Sequence, residues 1–156
     1  MLQWGGTQMR CALGRSGIVH DKREGDGGTP VGCWVLRRVM YRADRVAAPE
    51  TALPVTPLQP HDGWCDDPAH PDYNRPTRLP HPASCEAMWR ADELYDVVVV
   101  LGHNDDPPVP GLGSAIFLHV AAPGWQPTEG CVALARPDLL ALLAVVQPGD
   151  RICVGG

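Results

Sequence analysis

The chain has 156 residues, a formal net charge of -5 and a pI near 5.6. That is length enough for one domain with its own core, and a charge that argues against nucleic acid as the main partner. The composition is globular, 44% hydrophobic and 20% charged, and no run approaches the roughly 18 apolar residues of a membrane span.

The opening MLQWGGTQMRCALG has neither a basic n-region nor an apolar h-region. The expected place is therefore the cytoplasm, or the cell envelope if a leader precedes this sequence. Gln8 to Leu13 and Gly17 to His20 read as a short strand pair turning at Gly14-Arg15-Ser16. Asp21 to Gly32 is a polar, Gly-rich loop. It lacks the Gly-Lys-Ser/Thr ending of a P-loop, and no helical pattern follows it. Cys33 to Tyr41 reads as a strand opened by Thr29-Pro30, where a missing N–H is tolerated.

Arg42 to Glu93 is different in kind. It holds nine of the 17 prolines and nine acidic residues, with little periodicity. A segment of this length inside a compact domain is a functional lid or a surface loop. Trp64, Tyr73 and Trp89 are its possible anchors, and Ser84 to Ala91 is expected to form a short helix with Ser84 as N-cap. Cys65 and Cys85 are the best disulfide candidates among six cysteines if the protein is exported, whereas Cys11, Cys33 and Cys153 sit in strand-like runs as expected buried thiols.

Leu94 to Leu101 is an unbroken apolar run, expected as a strand buried on both faces. A polar turn over Gly102 to Pro108 precedes a further strand, Ser114 to Val120. Pro137 to Val146 is the one expected helix, with Pro137 in the first turn and Asp138 near the positive end. Gln147-Pro148-Gly149-Asp150 is a turn, and Arg151 to Val154 a last strand. The fold class is therefore mainly β, with a single helix after the turn at Cys131.

The chemistry centres on His119 and Cys131, separated by 11 residues of loop. A free cysteine is commonly a buried structural residue, and a lone histidine at a strand end commonly a satisfied one. Together, brought close by a hairpin-like connection, they form a nucleophile and its general base. Gly130 permits a turn that exposes the thiol and offers backbone N–H groups to an oxyanion. A helix N-terminus near Pro137, if aimed at the sulfur, would lower the thiol pKa. The imidazole needs a partner for its other nitrogen: a backbone carbonyl near Val120, or the side chains of Asn104 or Asp105. His103, Asp105, His119 and Cys131 are also zinc-competent, which makes a zinc hydrolase the rival. No CxxC, HExxH or HxH spacing accompanies them.

These residues resemble the L,D-transpeptidase catalytic domain, the YkuD-like family. Its signature is a His at a strand end, then a loop, then Ser/Thr-x-Gly-Cys and an apolar residue. Here that is His119, then Thr128-Glu129-Gly130-Cys131-Val132. Gly27-Gly28-Thr29-Pro30-Val31-Gly32 and Pro148-Gly149-Asp150-Arg151-Ile152 are similar to the family's Gly-rich loop and closing turn. The resemblance implies a β-sandwich or barrel spanning 1–156, with 42–93 as an inserted lid or loop. It implies Cys131 as nucleophile, His119 as base and acid, and Gly130 as an oxyanion donor. Thr128, Glu129, Asn104 and Arg136 would contact the substrate. It also implies peptidoglycan stem peptides as substrate, carbapenem-type β-lactams as covalent inhibitors, and no cofactor. Glu129 and Ala133 depart from residues common in the family. They motivate a second alternative, a peptidoglycan-binding module of the same fold without activity.

Overall fold

A computed structural model describes residues 1–155. The chain opens with a hairpin of β1 (Leu2–Trp4) and β2 (Thr7–Met9), followed by β3 (Cys11–Ala12). The expected pairing of residues 8–13 with 17–20 does not form. Instead β4 (Ile18–Val19) pairs in parallel with β5 (Thr29–Pro30). The Gly-rich loop occupies the space between: a Cβ on Gly14 would lie 2.3 Å from the Gly27 carbonyl oxygen, so only glycine fits there.

The body is a seven-stranded sheet. Its longest member is β6 (Gly32–Tyr41), joined along its first four residues by the C-terminal strand and along its last three by β7 (Val55–Pro57). Within 42–93 a separate three-stranded sheet forms from β8 (Asp62–Cys65), β9 (Pro76–Arg78) and β10 (Cys85–Ala87). The helix expected over Ser84–Ala91 is absent. Cys85–Ala87 pair antiparallel with Gly63–Cys65, and ladder bonds replace the local helical ones.

β11 (Val97–Leu101) is buried along its whole length, between β6 and β12 (Phe117–Val120). β12 begins three residues later than expected, because Ala115 sits at a φ of 52° that a strand cannot hold. β13 (Val132–Leu134) runs parallel to β12 and carries β3 on its far side. The single α-helix among the described residues, α1 (Arg136–Leu143), starts with Pro137 and Asp138 in its first turn. β14 (Arg151–Val154) closes the chain against β6. No barrel closes among these residues.

Alternation along β11 divides the core in two. Val97, Val99 and Leu101 pack with Leu118, Val132, Leu134 and the α1 leucines. Val98 and Val100 face the other way, onto Phe117 and onto Leu58, Trp64 and Met88 from the 42–93 segment. Trp64 meets Phe117 edge-on, with centroids 5.0 Å apart. Residues 58–89 thus cover one face of the sheet, while the helix, with Leu53, covers the other.

The expectation for the cysteines is corrected. Cys33 and Cys153 lie directly opposite each other on β6 and β14 and are disulfide-bonded, whereas Cys65 and Cys85 are free thiols.

Candidate active site

The parallel register of β12 and β13 places His119 and Cys131, the two residues expected to react. His119 is opposite Ala133, and Cys131 precedes Ala133 by two positions. Side chains two apart share a face, so the thiol and the imidazole stand on the same side of the sheet. The connection is therefore not a hairpin. The chain leaves β12, makes a 3-10 turn at Pro123–Trp125 and re-enters in the same direction. Thr128 ties the turn together: its hydroxyl donates to the Cys131 carbonyl at 2.7 Å and accepts from the Gly130 N–H at 3.1 Å. Gly130 has a φ of 137°, and a Cβ there would come within 2.8 Å of the Gly28 carbonyl oxygen. The Gly-rich loop and the cysteine turn thus touch backbone to backbone. Thr29 joins them, accepting from the Gly14 N–H at 2.8 Å and lying 3.5 Å from the Cys131 carbonyl.

Cys131 is 7% exposed and His119 4%. The thiol accepts from the Phe117 N–H at 3.3 Å and donates to the Ala115 carbonyl at 3.2 Å. Burial pushes its pKa up to about 12, and the neighbouring Glu86 carboxylate adds to the rise. The helix dipole does not intervene. α1 begins beyond the far end of β13 and packs its leucines on the opposite face. His119 Nδ1 lies 2.8 Å from the Val120 carbonyl oxygen, which can only accept, so Nδ1 carries the proton and Nε2 the lone pair. Burial lowers the imidazole pKa to about 4. At neutral pH the resting pair is therefore an uncharged thiol and an uncharged imidazole.

Both residues line a cavity of about 410 Å³. Its other walls are partly apolar and carry charged groups, Lys22 and Glu24 from the Gly-rich loop and Asp66, Glu86 and Arg90 from the 42–93 segment. Tyr95 stands over the pair. Its ring is edge-on to His119 at 5.4 Å, its hydroxyl donates to Glu86, and the Arg90 guanidinium lies 5.2 Å from its centroid. Glu24 accepts from the Tyr73 and Ser114 hydroxyls at 2.5 and 2.8 Å.

The other expected residues divide. Thr128 and Glu129 line the cavity, although the Glu129 side chain is 79% exposed and paired with Arg15 at 2.9 Å. Asn104 lies outside it and holds a turn, donating to the Val109 and Gly113 carbonyls. Arg136 is also outside, bound to the buried Asp96 at 2.8 Å. His103 packs edge-on against Trp34 at 4.7 Å, and Asp105 pairs with Arg37, so neither joins His119 and Cys131 as a metal-ligand set. Sequence reasoning passed over Lys22, Glu24, Asp66, Glu86, Arg90 and Tyr95. The available signals were Lys22 as the sole lysine and Tyr95 at the edge of the valine run.

The sequence matches the profile of the L,D-transpeptidase catalytic domain (YkuD) over residues 3–154. The chain belongs to this family. No curated protein and no solved structure matches it. L,D-transpeptidases of the YkuD family depend on a cysteine and act on peptidoglycan peptides. In this L,D-transpeptidase-family domain the Thr-x-Gly-Cys turn sits at the cavity just described. Among the described residues no helix is long and apolar enough to cross a membrane.

Proposed function

We propose that the protein is a cysteine acyltransferase acting on peptidoglycan stem peptides, with Cys131 as nucleophile and His119 as base. The carrying observation is the register that sets thiol and imidazole on one face, in one cavity with charged walls. The Cys131 sulfur attacks the carbonyl of a residue followed by a D-amino acid. The thiol proton passes to His119 Nε2 as the S–C bond forms, because neither group is charged at rest. Backbone N–H groups of the Gly130–Cys131 turn receive the oxyanion, that of Gly130 exchanging its bond from Thr128. Collapse breaks the C–N bond, and the leaving amine takes the proton from Nε2. An acceptor amine, or water, then attacks the thioester, gives its proton to His119 and restores the thiol. Of the remaining walls, Arg90 and Lys22 suit carboxylates of the stem peptide, and Glu24 and Asp66 its ammonium groups. A place in the cell envelope agrees with the Cys33–Cys153 disulfide, since such bonds persist in oxidising compartments.

Turnover of a stem tetrapeptide by Cys131→Ala tests this reading. The expected loss is on the order of 10⁴-fold or more, as for removal of a covalent nucleophile. Near wild-type turnover would end it. Folded protein that binds muropeptides but neither turns them over nor takes a carbapenem on Cys131 would instead identify a binding module.

A further inference from the structure

The three-stranded sheet of the 42–93 segment contains a second cluster of reactive side chains, away from the cavity's thiol. Cys65 on β8 and Cys85 on β10 are directly opposite one another. One ligand atom each of Cys65, His81 and Cys85 falls within 4.8 Å of the other two, and the same holds for His70, Asp72 and His81. We propose that Cys65, His81 and Cys85 bind a zinc ion, with His70, whose ring stands against His81, as the donor for the fourth position.

The donor set carries the argument. Two thiolates with one or two imidazoles favour zinc over the hard cations, which want oxygen. The order along the chain is Cys-x4-His-x10-His-x3-Cys, so all four residues come from one short stretch. His70 and His81 stand edge-on with ring centroids 4.8 Å apart. The surroundings are those of a metal site's outer shell. Thr77 donates its hydroxyl to the Cys85 sulfur at 3.4 Å. Asp72 Oδ2 lies 3.1 Å from His81 Nε2, and the Ala83 N–H donates to His81 Nδ1 at 3.2 Å; one of these bonds gives way when the imidazole ligates the ion, and the other orients the ring. The chain also supplies its own comparison. Cys33 and Cys153 are opposed across an antiparallel ladder just as Cys65 and Cys85 are, yet only the first pair is bonded.

The ion would have a structural task in the same enzyme. Cys65 and Cys85 are followed directly by Asp66 and Glu86, and both carboxyl groups line the cavity at Cys131. Clamping β8 to β10 fixes the wall that these residues form. On binding, each thiol releases its proton to solvent and the sulfur donates to zinc, with no change of oxidation state.

The test is metal analysis of the full chain, purified under reducing conditions from zinc-supplemented medium without chelator. The expected result is about one zinc per chain in the wild type and in Cys131→Ala, and a loss of at least about tenfold in Cys85→Ser. Cobalt loaded in place of zinc should give thiolate charge-transfer bands in the wild type and in Cys131→Ala, a readout that needs no folded ligand variant. Sub-stoichiometric zinc in the wild type would overturn the proposal. So would loss of the metal in Cys131→Ala, or peptide mapping that finds Cys65 bonded to Cys85 in freshly isolated protein. None of these readouts depends on transferase activity.

Discussion

Cys131 is held as a thiol by two backbone bonds and by burial, and His119 is held neutral by the same burial. Many reactive cysteines are instead thiolates at rest, stabilised by a charged neighbour or a helix end. Here the helix is on the other face and Glu86 is close enough to disfavour the anion. Iodoacetamide should accordingly modify Cys131 slowly at pH 7. With a thiol pKa near 12, the rate should rise about tenfold per pH unit up to pH 10, following the thiolate fraction. A rate already level between pH 6 and 8 would reveal a resting ion pair and contradict this account. On the proposed mechanism substrate triggers the proton transfer, which ties the reaction to a filled cavity.

At the scale of elements, the site depends on pieces from three parts of the sequence. The β12–β13 register supplies the pair, the Gly-rich loop supports the turn, and residues 42–93 supply much of the charged wall. Subtilisin under native conditions should cut within 62–87 no faster than in the central sheet, because β8–β10 pack onto Phe117 through Trp64 and Met88. Rapid cutting there, with the rest intact, would argue against a packed cover.

This division also explains what was legible in the sequence. The valine run of β11, the strand at Cys33 to Tyr41 and the Pro137 helix start are written in local periodicity, and each is present. His119 and Cys131 could be singled out because a strand end and a Gly-preceded turn are local features. Their parallel relation could not, since register is a property of pairing between distant residues. Cys85–Ala87 has a helical appearance in sequence because the strand that claims it, Gly63–Cys65, lies twenty residues or more upstream. Prolines masked the same sheet. The side-chain chemistry of Asn104 and Arg136 suits a substrate site, but each is engaged by neighbours elsewhere.

For the whole molecule, burial of two imidazoles makes folding sensitive to acid. His119 and His103 both have pKa values lowered to about 4, in each case by burial first, from an ordinary value of 6.5. The unfolded chain therefore binds more protons than the folded one between these limits. The stability is fully present above pH 6.5 and is lost progressively as pH falls toward 4. Each histidine contributes about 3 kcal/mol at most to that loss. Urea titrations across this range should show the decline, and His103→Asn, if it folds, should flatten it. Constant stability from pH 6.5 to 4 would contradict the burial of both rings.

The account rests on a covalent intermediate at one sulfur. Its most direct test is intact-mass and peptide-level mass spectrometry after brief exposure of the wild type to a stem tetrapeptide and, separately, to a carbapenem. The account predicts an acyl adduct on the peptide that contains Cys131, absent from Cys131→Ala. Turnover with no adduct in the wild type, or an adduct on Cys65 or Cys85 in its place, would contradict it.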